Sequence, residues 1–392
     1  MAKTYKNLFG EIIKTENLIR AYKGAAEQKR FEKAILRFDK HLAQNLLYLQ
    51  KELFNKTYKH GDYKFFTLYD PKEREISAAP FQDRIVHHAV CQILEPIFDK
   101  KFIYDSFACR KIKGSHRAVK RLQKFLRKLS FKLESEREES ISLVYALKCD
   151  ISKCFPSINH EILIKILEKK VKDKDTIWLL KEIINSCESG DKYNYLFPAN
   201  SHFRTSRPRG IPIGNLTSQL FINIYLNELD QYLKHQLKVR YYVRYVDDFI
   251  ILSQNKRYLH QLTEKIRAFL YNELYLTLHP KKVRVFPVRQ GIDFLGYVIF
   301  KDHILLRSKN VKSFRKRLRK FQKLYQTGKI KEQKIRKSIT SWLAHAEQAD
   351  TYYLRKAIFG KPLVSKDQKE IEQFIKSWGE PDHKPFGQLR LF

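Results

Sequence analysis

The chain has 392 residues and carries 77 Lys+Arg against 42 Asp+Glu, a formal net charge of +35; that length holds roughly two to three domains. Self-repulsion of this size disfavours a compact state unless a polyanion screens it, so a nucleic-acid partner is the expectation. No apolar run approaches the ~20 residues of a membrane span, no signal-peptide core opens the sequence, and five scattered cysteines without a CxxC pair fit a reducing cytoplasm rather than a disulfide framework or zinc site.

Residues 1–60 are predicted helical, with Phe31, Ile35, Phe38, Leu42, Leu46 and Leu49 at spacings of three and four. Tyr63–Leu68 and Arg74–Ala79 read as two strands joined at Asp70-Pro71-Lys72. A helix is expected over Asp83–Phe98, then a basic helix over 116–132 and an acid-rich loop from Glu134 to Ser140. Leu143–Cys149 is an apolar strand that ends at Asp150, followed by helices near 160–171 and 173–187. Residues 188–210 read as a loop containing the basic stretch Arg204–Arg209, and a helix runs from Gly214 to about Lys238. Val239–Leu252 reads as strand, two-acid turn, strand, and a helix covers Lys256–Tyr271. Residues 274–307 alternate in strand fashion, helices span Asn310–Tyr325 and Lys331–Ala346, and the end of the chain reads as a loosely attached polar tail. Ser341–His345 and Asp350–Tyr352 read as packing rather than chemistry, and His87, His88 and His116 lack metal-ligand spacing.

Asp247 and Asp248 at a tight turn inside an apolar hairpin are costly unless something positive sits on them. Asp150 can join them if the three strands are sheet neighbours. Paired divalent ions need bridging carboxylates from separate segments, so the arrangement suggests a polymerase site.

In order along the chain, Asp83-Arg84-Ile85-Val86, Tyr104–Arg110, Asp150–Phe155, Tyr245-Val246-Asp247-Asp248, Leu278–Lys282 and Phe294–Tyr297 resemble the conserved blocks of reverse transcriptases of the bacterial group II-intron-like branch. The resemblance covers roughly residues 20 to 355. It implies an α+β right-hand polymerase: an N-terminal helical extension over 1–60, fingers and palm over 61–307, a helical thumb over 308–360 and a tail over 361–392. It implies RNA-directed DNA synthesis with Mg²⁺ (Mn²⁺ as substitute), and as partners an RNA template, a DNA or RNA primer and dNTPs.

Roles follow position by position. Asp150, Asp247, Asp248 and the carbonyl of Ile151 would hold metal. Phe155 matches the gate against a ribose 2′-OH, or is a plain core residue. Lys72 and Arg74 match the triphosphate clamp. Lys282 matches a general acid for pyrophosphate, or a salt-bridge partner. Phe294, Leu295 and Gly296 match the primer grip. Arg315, Arg319 and Lys320 would track phosphates, and Arg110 would brace the fingers or template strand.

Ile213, Gly214 and Gln219 depart from the common pattern, which has Gln before that glycine and Pro in place of Gln219. In this the chain looks like the enzymes of diversity-generating retroelements and antiphage defence. The implied template is a dedicated non-coding RNA, with an accessory protein or a second reverse transcriptase as further partner. The alternative is a non-polymerising RNA-binding scaffold or an intron maturase-like splicing cofactor.

Overall fold

A computed structural model describes residues 3–69, 73–135, 144–187 and 208–379. The N-terminal region forms four helices, α1 (Leu8–Ile13), α2 (Thr15–Ala26), α3 (Lys33–Asp39) and α4 (Leu42–Phe54). Of the expected apolar stripe, Ile35, Leu46 and Leu49 are buried, whereas Phe31 is 93% exposed. Strands β1 (Lys64–Leu68) and β2 (Arg74–Ala78) pair antiparallel with Leu68 opposite Arg74. Helix α5 (Phe81–Asp99) buries Ile85, Val86, Ala89 and Val90, the face its spacing predicts.

Helix α6 (Ser115–Ser135) leads to strand β3 (Tyr145–Asp150), a single turn α7 (Cys154–Ser157) and helices α8 (His160–Glu168) and α9 (Lys174–Asn185). Asn159 caps α8, accepting from Ile162 N at 2.9 Å, and Asp173 caps α9 by accepting from Asp175 and Thr176. Helix α10 (Leu216–Gln231) is apolar nearly all round and buries Phe221, Ile222, Tyr225 and Leu226. It ends in a π-helical turn, Tyr232–Gln236, where sequence predicted continuous helix. Strands β4 (Tyr242–Tyr245) and β5 (Asp248–Ser253), helix α11 (Lys256–Leu274) and strand β6 (Arg284–Pro287) follow. Strands β7 (Ile292–Phe294), β8 (Tyr297–Ile299) and β9 (Ile304–Leu306) precede helices α12 (Ser308–Gln326), α13 (Glu332–Ala346), α14 (Tyr352–Phe359) and α15 (Gln368–Lys376).

The class is α+β. One sheet has the order β4-β5-β3-β6, another β7-β8-β9, and β1-β2 stands as a hairpin. The chain divides into two compact units. The first holds residues 1–114, 147–251 and 256–285; the second holds 115–146, 252–255 and 286–392.

This division differs from the expected boundary at 307. The apolar face of α6, with Leu122 and Leu126 buried, belongs with β8, and Arg127 Nε donates to Lys301 O at 3.0 Å. Within the span read as a tail from residue 361, residues 368–376 are helical. Helix α15 packs on α13, Ile371, Ile375 and Trp378 are fully buried, and Gln326 Nε2 donates to Trp378 O at 3.0 Å. Among the described residues no helix is long and apolar enough to cross a membrane.

Candidate active site

Tyr245 pairs with Asp248, so Val246 and Asp247 form the two-residue loop of the β4–β5 hairpin. Val246 has φ 54°, a left-handed conformation that costs a β-branched residue about 1–3 kcal/mol. A buried cation braces that loop. Arg244 is fully buried, and its Nη1 donates to Val246 O at 3.2 Å. Its Nε and Nη2 donate to the two carboxylate oxygens of Asp230 at 2.7 and 2.5 Å, and Tyr242 OH donates to the same carboxylate at 2.7 Å. The strand's backbone is held as well: Arg244 N donates to Asp105 O, and Phe107 N donates to Arg244 O, each at 3.0 Å.

Strand β3 delivers Asp150 beside this loop. Ile151 N donates to Asp247 O at 3.1 Å, and His279 N donates to Asp150 O at 2.8 Å. Lys282 Nζ reaches Asp150 Oδ1 at 2.8 Å. Burial, then the charge of Asp150, push the Asp247 carboxyl above its ordinary value, with Lys282 and Arg74 pulling the other way. Asp248 Oδ2 lies 3.9 Å from Lys148 Nζ. A buried carboxyl that carries a second carboxylate's charge beside it suits a hard cation.

Among the described residues, no group of three or more His, Cys, Asp or Glu could by itself enclose a metal ion. Mg²⁺ takes one or two carboxylates and completes its shell with water and substrate phosphates. Asp150 lies close enough for its charge to act on the Asp247 carboxyl, so these two make a donor pair of the kind that ion takes, while Asp248 lies beside Lys148.

The residues read from sequence as nucleotide-binding belong to the same unit. Ile213 O accepts from Ser77 N at 3.0 Å, which ties β2 to this segment. Gly214 has φ 129°, and a side chain there would meet Ser77 O at 3.0 Å. Asn215 Nδ2 donates to Tyr63 OH at 2.8 Å, while Gln219 is exposed on α10. Phe155 is half-buried on α7, its carbonyl accepting from Ile211 N at 3.0 Å. Arg74 is exposed at the start of β2, and Lys72 lies outside the described residues. Arg110 donates to Asp99 Oδ1 at the end of α5 at 2.6 Å, and to Ile103 O at 2.7 Å and Ser106 O at 2.8 Å.

In the second unit, Leu295 and Gly296 have φ 52° and 92° and form the two-residue loop between Phe294 and Tyr297. Positive φ at both loop positions is the geometry of a type I′ hairpin. Gly296 O accepts from Arg307 N at 3.0 Å, and Tyr297 OH contacts His345 Nδ1 at 2.8 Å. On α12, Arg319 and Lys320 are exposed and Arg315 is half-buried.

The sequence reading overlooked Arg244, Asp230 and Lys148. Arg244 carried a usable signal, since a cation inside the apolar run Tyr241–Tyr245 requires a buried partner.

Residues 59–299 match the family described as reverse transcriptase (RNA-dependent DNA polymerase). The chain is 26% identical over 292 residues to the protein YkfC of Escherichia coli, covering 65% of this chain and 71% of that one. It is 29% identical over 168 residues to the group II intron-encoded protein LtrA of Lactococcus lactis, covering 43% and 24%. It is 26% identical over 165 residues to the putative COX1/OXI3 intron 2 protein of Saccharomyces cerevisiae, covering 42% of this chain and 17% of that protein.

Proposed function

The chain belongs to the reverse transcriptase (RNA-dependent DNA polymerase) family, and from that premise we propose that it is an RNA-directed DNA polymerase extending a DNA or RNA primer with dNTPs along a dedicated structured RNA. The observation that carries this reading is the convergence of Asp150 and Asp247, joined through Ile151 N and Asp247 O at 3.1 Å. Asp150, Asp247 and the carbonyl of Ile151 would hold Mg²⁺, with Mn²⁺ as substitute. Bound there, the ions would lower the pKa of the primer hydroxyl and neutralise the triphosphate.

The chain's own groups do the rest. Lys282 Nζ, which donates to Asp150 Oδ1 at 2.8 Å, is the side chain that would serve a leaving phosphate oxygen. Arg74 adds positive charge on the hairpin bonded to Ile213 through Ser77, where the triphosphate would lie. Phe155 would restrict space at the sugar 2′ position and favour deoxynucleotides. The β7–β8 turn would seat the primer strand, and the α12 cations would follow phosphates of the duplex.

For the biological setting, Ile213 and Gln219 point to a diversity-generating retroelement or an antiphage system, with an accessory protein or second reverse transcriptase and a cytoplasmic site of action. The genes beside this one separate the two: a template and variable repeat pair marks the first, a defence island the second.

The test is dNTP incorporation on an RNA template with Mg²⁺. Template-dependent product supports the reading. RNA binding without incorporation would make the chain a splicing cofactor or scaffold instead.

A further inference from the structure

Helix α6 carries a charge pattern that the proposed chemistry does not use. The sequence holds no Asp or Glu between Asp105 and Glu134. Along the described side chains of α6, the apolar face is buried through Ala118, Val119, Leu122, Leu126 and Leu129. The exposed positions from 117 to 128 are Arg117, Lys120, Lys124, Arg127 and Lys128, all cationic. Arg127 is engaged with the carbonyls of Lys301 and Asp302. Lys120, Lys124 and Lys128 recur at spacings of four and so share one stripe. From Arg117 to Lys128 the stripe extends about 16 Å at 1.5 Å per residue, the length of about five phosphate steps on one strand.

We propose that this stripe is a second phosphate-tracking surface, which grips the backbone of a nucleic-acid duplex independently of α12. Two features select this partner. No aromatic or other apolar side chain is exposed along the stripe, so it can read charge but neither stack bases nor insert into a bilayer. The helix also begins beside the β7–β8 turn of its own unit: the His116 ring lies 6.1 Å from that of Tyr297 and 6.2 Å from that of His345. A duplex seated at that turn passes the start of the stripe. The identification of the duplex as a template–primer hybrid rests on the polymerase reading; the surface itself does not.

The test measures binding without nucleotide or divalent ion, so a chain that does not polymerise can still pass or fail it. Fluorescence anisotropy of a short RNA–DNA hybrid is recorded from 50 to 200 mM NaCl for wild type and for the triple variant Lys120→Gln/Lys124→Gln/Lys128→Gln. The expected result is affinity lower by about tenfold or more at the lowest salt, and a slope of log affinity against log salt shallower by about 2, at 0.7–0.9 per lost phosphate contact. Arginine at the same three positions should restore both. The control removes equal charge from lysines already engaged, Lys56 with Asp175, Lys169 with Glu228 and Lys172 with the Glu168 carbonyl. An unchanged slope and affinity in the stripe variant, an equal loss in the control, or loss of anionic-vesicle binding with duplex binding intact would each overturn the proposal.

Discussion

At position 213 the backbone is occupied and the side chain is apolar. Ile213 O is committed to Ser77 N at 3.0 Å, and its hydrocarbon side chain would offer a base placed beside it no polar atom. Ile213→Gln is expected to lower misincorporation on an RNA template by on the order of tenfold, equivalent to about 1.4 kcal/mol of discrimination. Sequencing of extension products checks this, and identical error spectra would remove Ile213 from base selection. His87 is a second residue with a measurable signature. Both of its ring nitrogens are buried without a hydrogen bond, and burial, then the charges of His60 and His88, push its pKa down to about 3. The unfolded chain protonates this imidazole near its ordinary value of 6.5 while the folded chain does not. Stability therefore falls as pH drops from about 6.5 toward 3, by up to about 1.4 kcal/mol per pH unit from this group. Denaturant unfolding at pH 7.5 and 4.5 should show a smaller loss for His87→Leu than for wild type; equal losses would contradict the assignment.

At the scale of elements, the β4–β5 hairpin is held by an ion pair from a neighbouring helix. Removing the carboxylate in Asp230→Ala leaves Arg244 charged in a fully buried place, which costs about 3–5 kcal/mol. The same change frees the guanidinium from its grip on Val246 O. Thermal melting and primer extension should both fall, and a variant with unchanged melting would show that the pair bears no load. Most of these elements were legible. Periodicity located α5, α11, α12 and α13 to within a few residues, because each carries one apolar stripe with charge opposite. The three aspartates proposed as catalytic stood out because Asp in an apolar strand or hairpin breaks its surroundings. The Arg244–Asp230 pairing was not, since nothing local ties a strand residue to a helix residue fourteen positions earlier. Helix α15 was missed for a weaker reason: Ile371, Phe374, Ile375 and Trp378 have helical spacing, but the surrounding Lys and Glu made the stretch read as tail. The boundary between units was invisible because α6 joins β8 across a long sequence gap.

At the scale of the whole molecule, the net charge of +35 acts in opposite directions on folding and binding. Salt screens self-repulsion, so the free protein is expected to melt higher in 0.5 M than in 0.05 M NaCl while its nucleic-acid affinity drops. A melting temperature that falls with salt would show that attractive pairs, not repulsion, dominate its electrostatics. The central claim is that Asp150 and Asp247 form the catalytic carboxylate pair. Ionised Asp247 costs stability at neutral pH, because burial and Asp150 raise its pKa, and an amide removes that cost. The most direct measurement is therefore Mg²⁺-dependent primer extension on an RNA template by Asp247→Asn, alongside its melting temperature. The expected result is loss of extension with melting unchanged or raised; extension at the wild-type rate would contradict the claim.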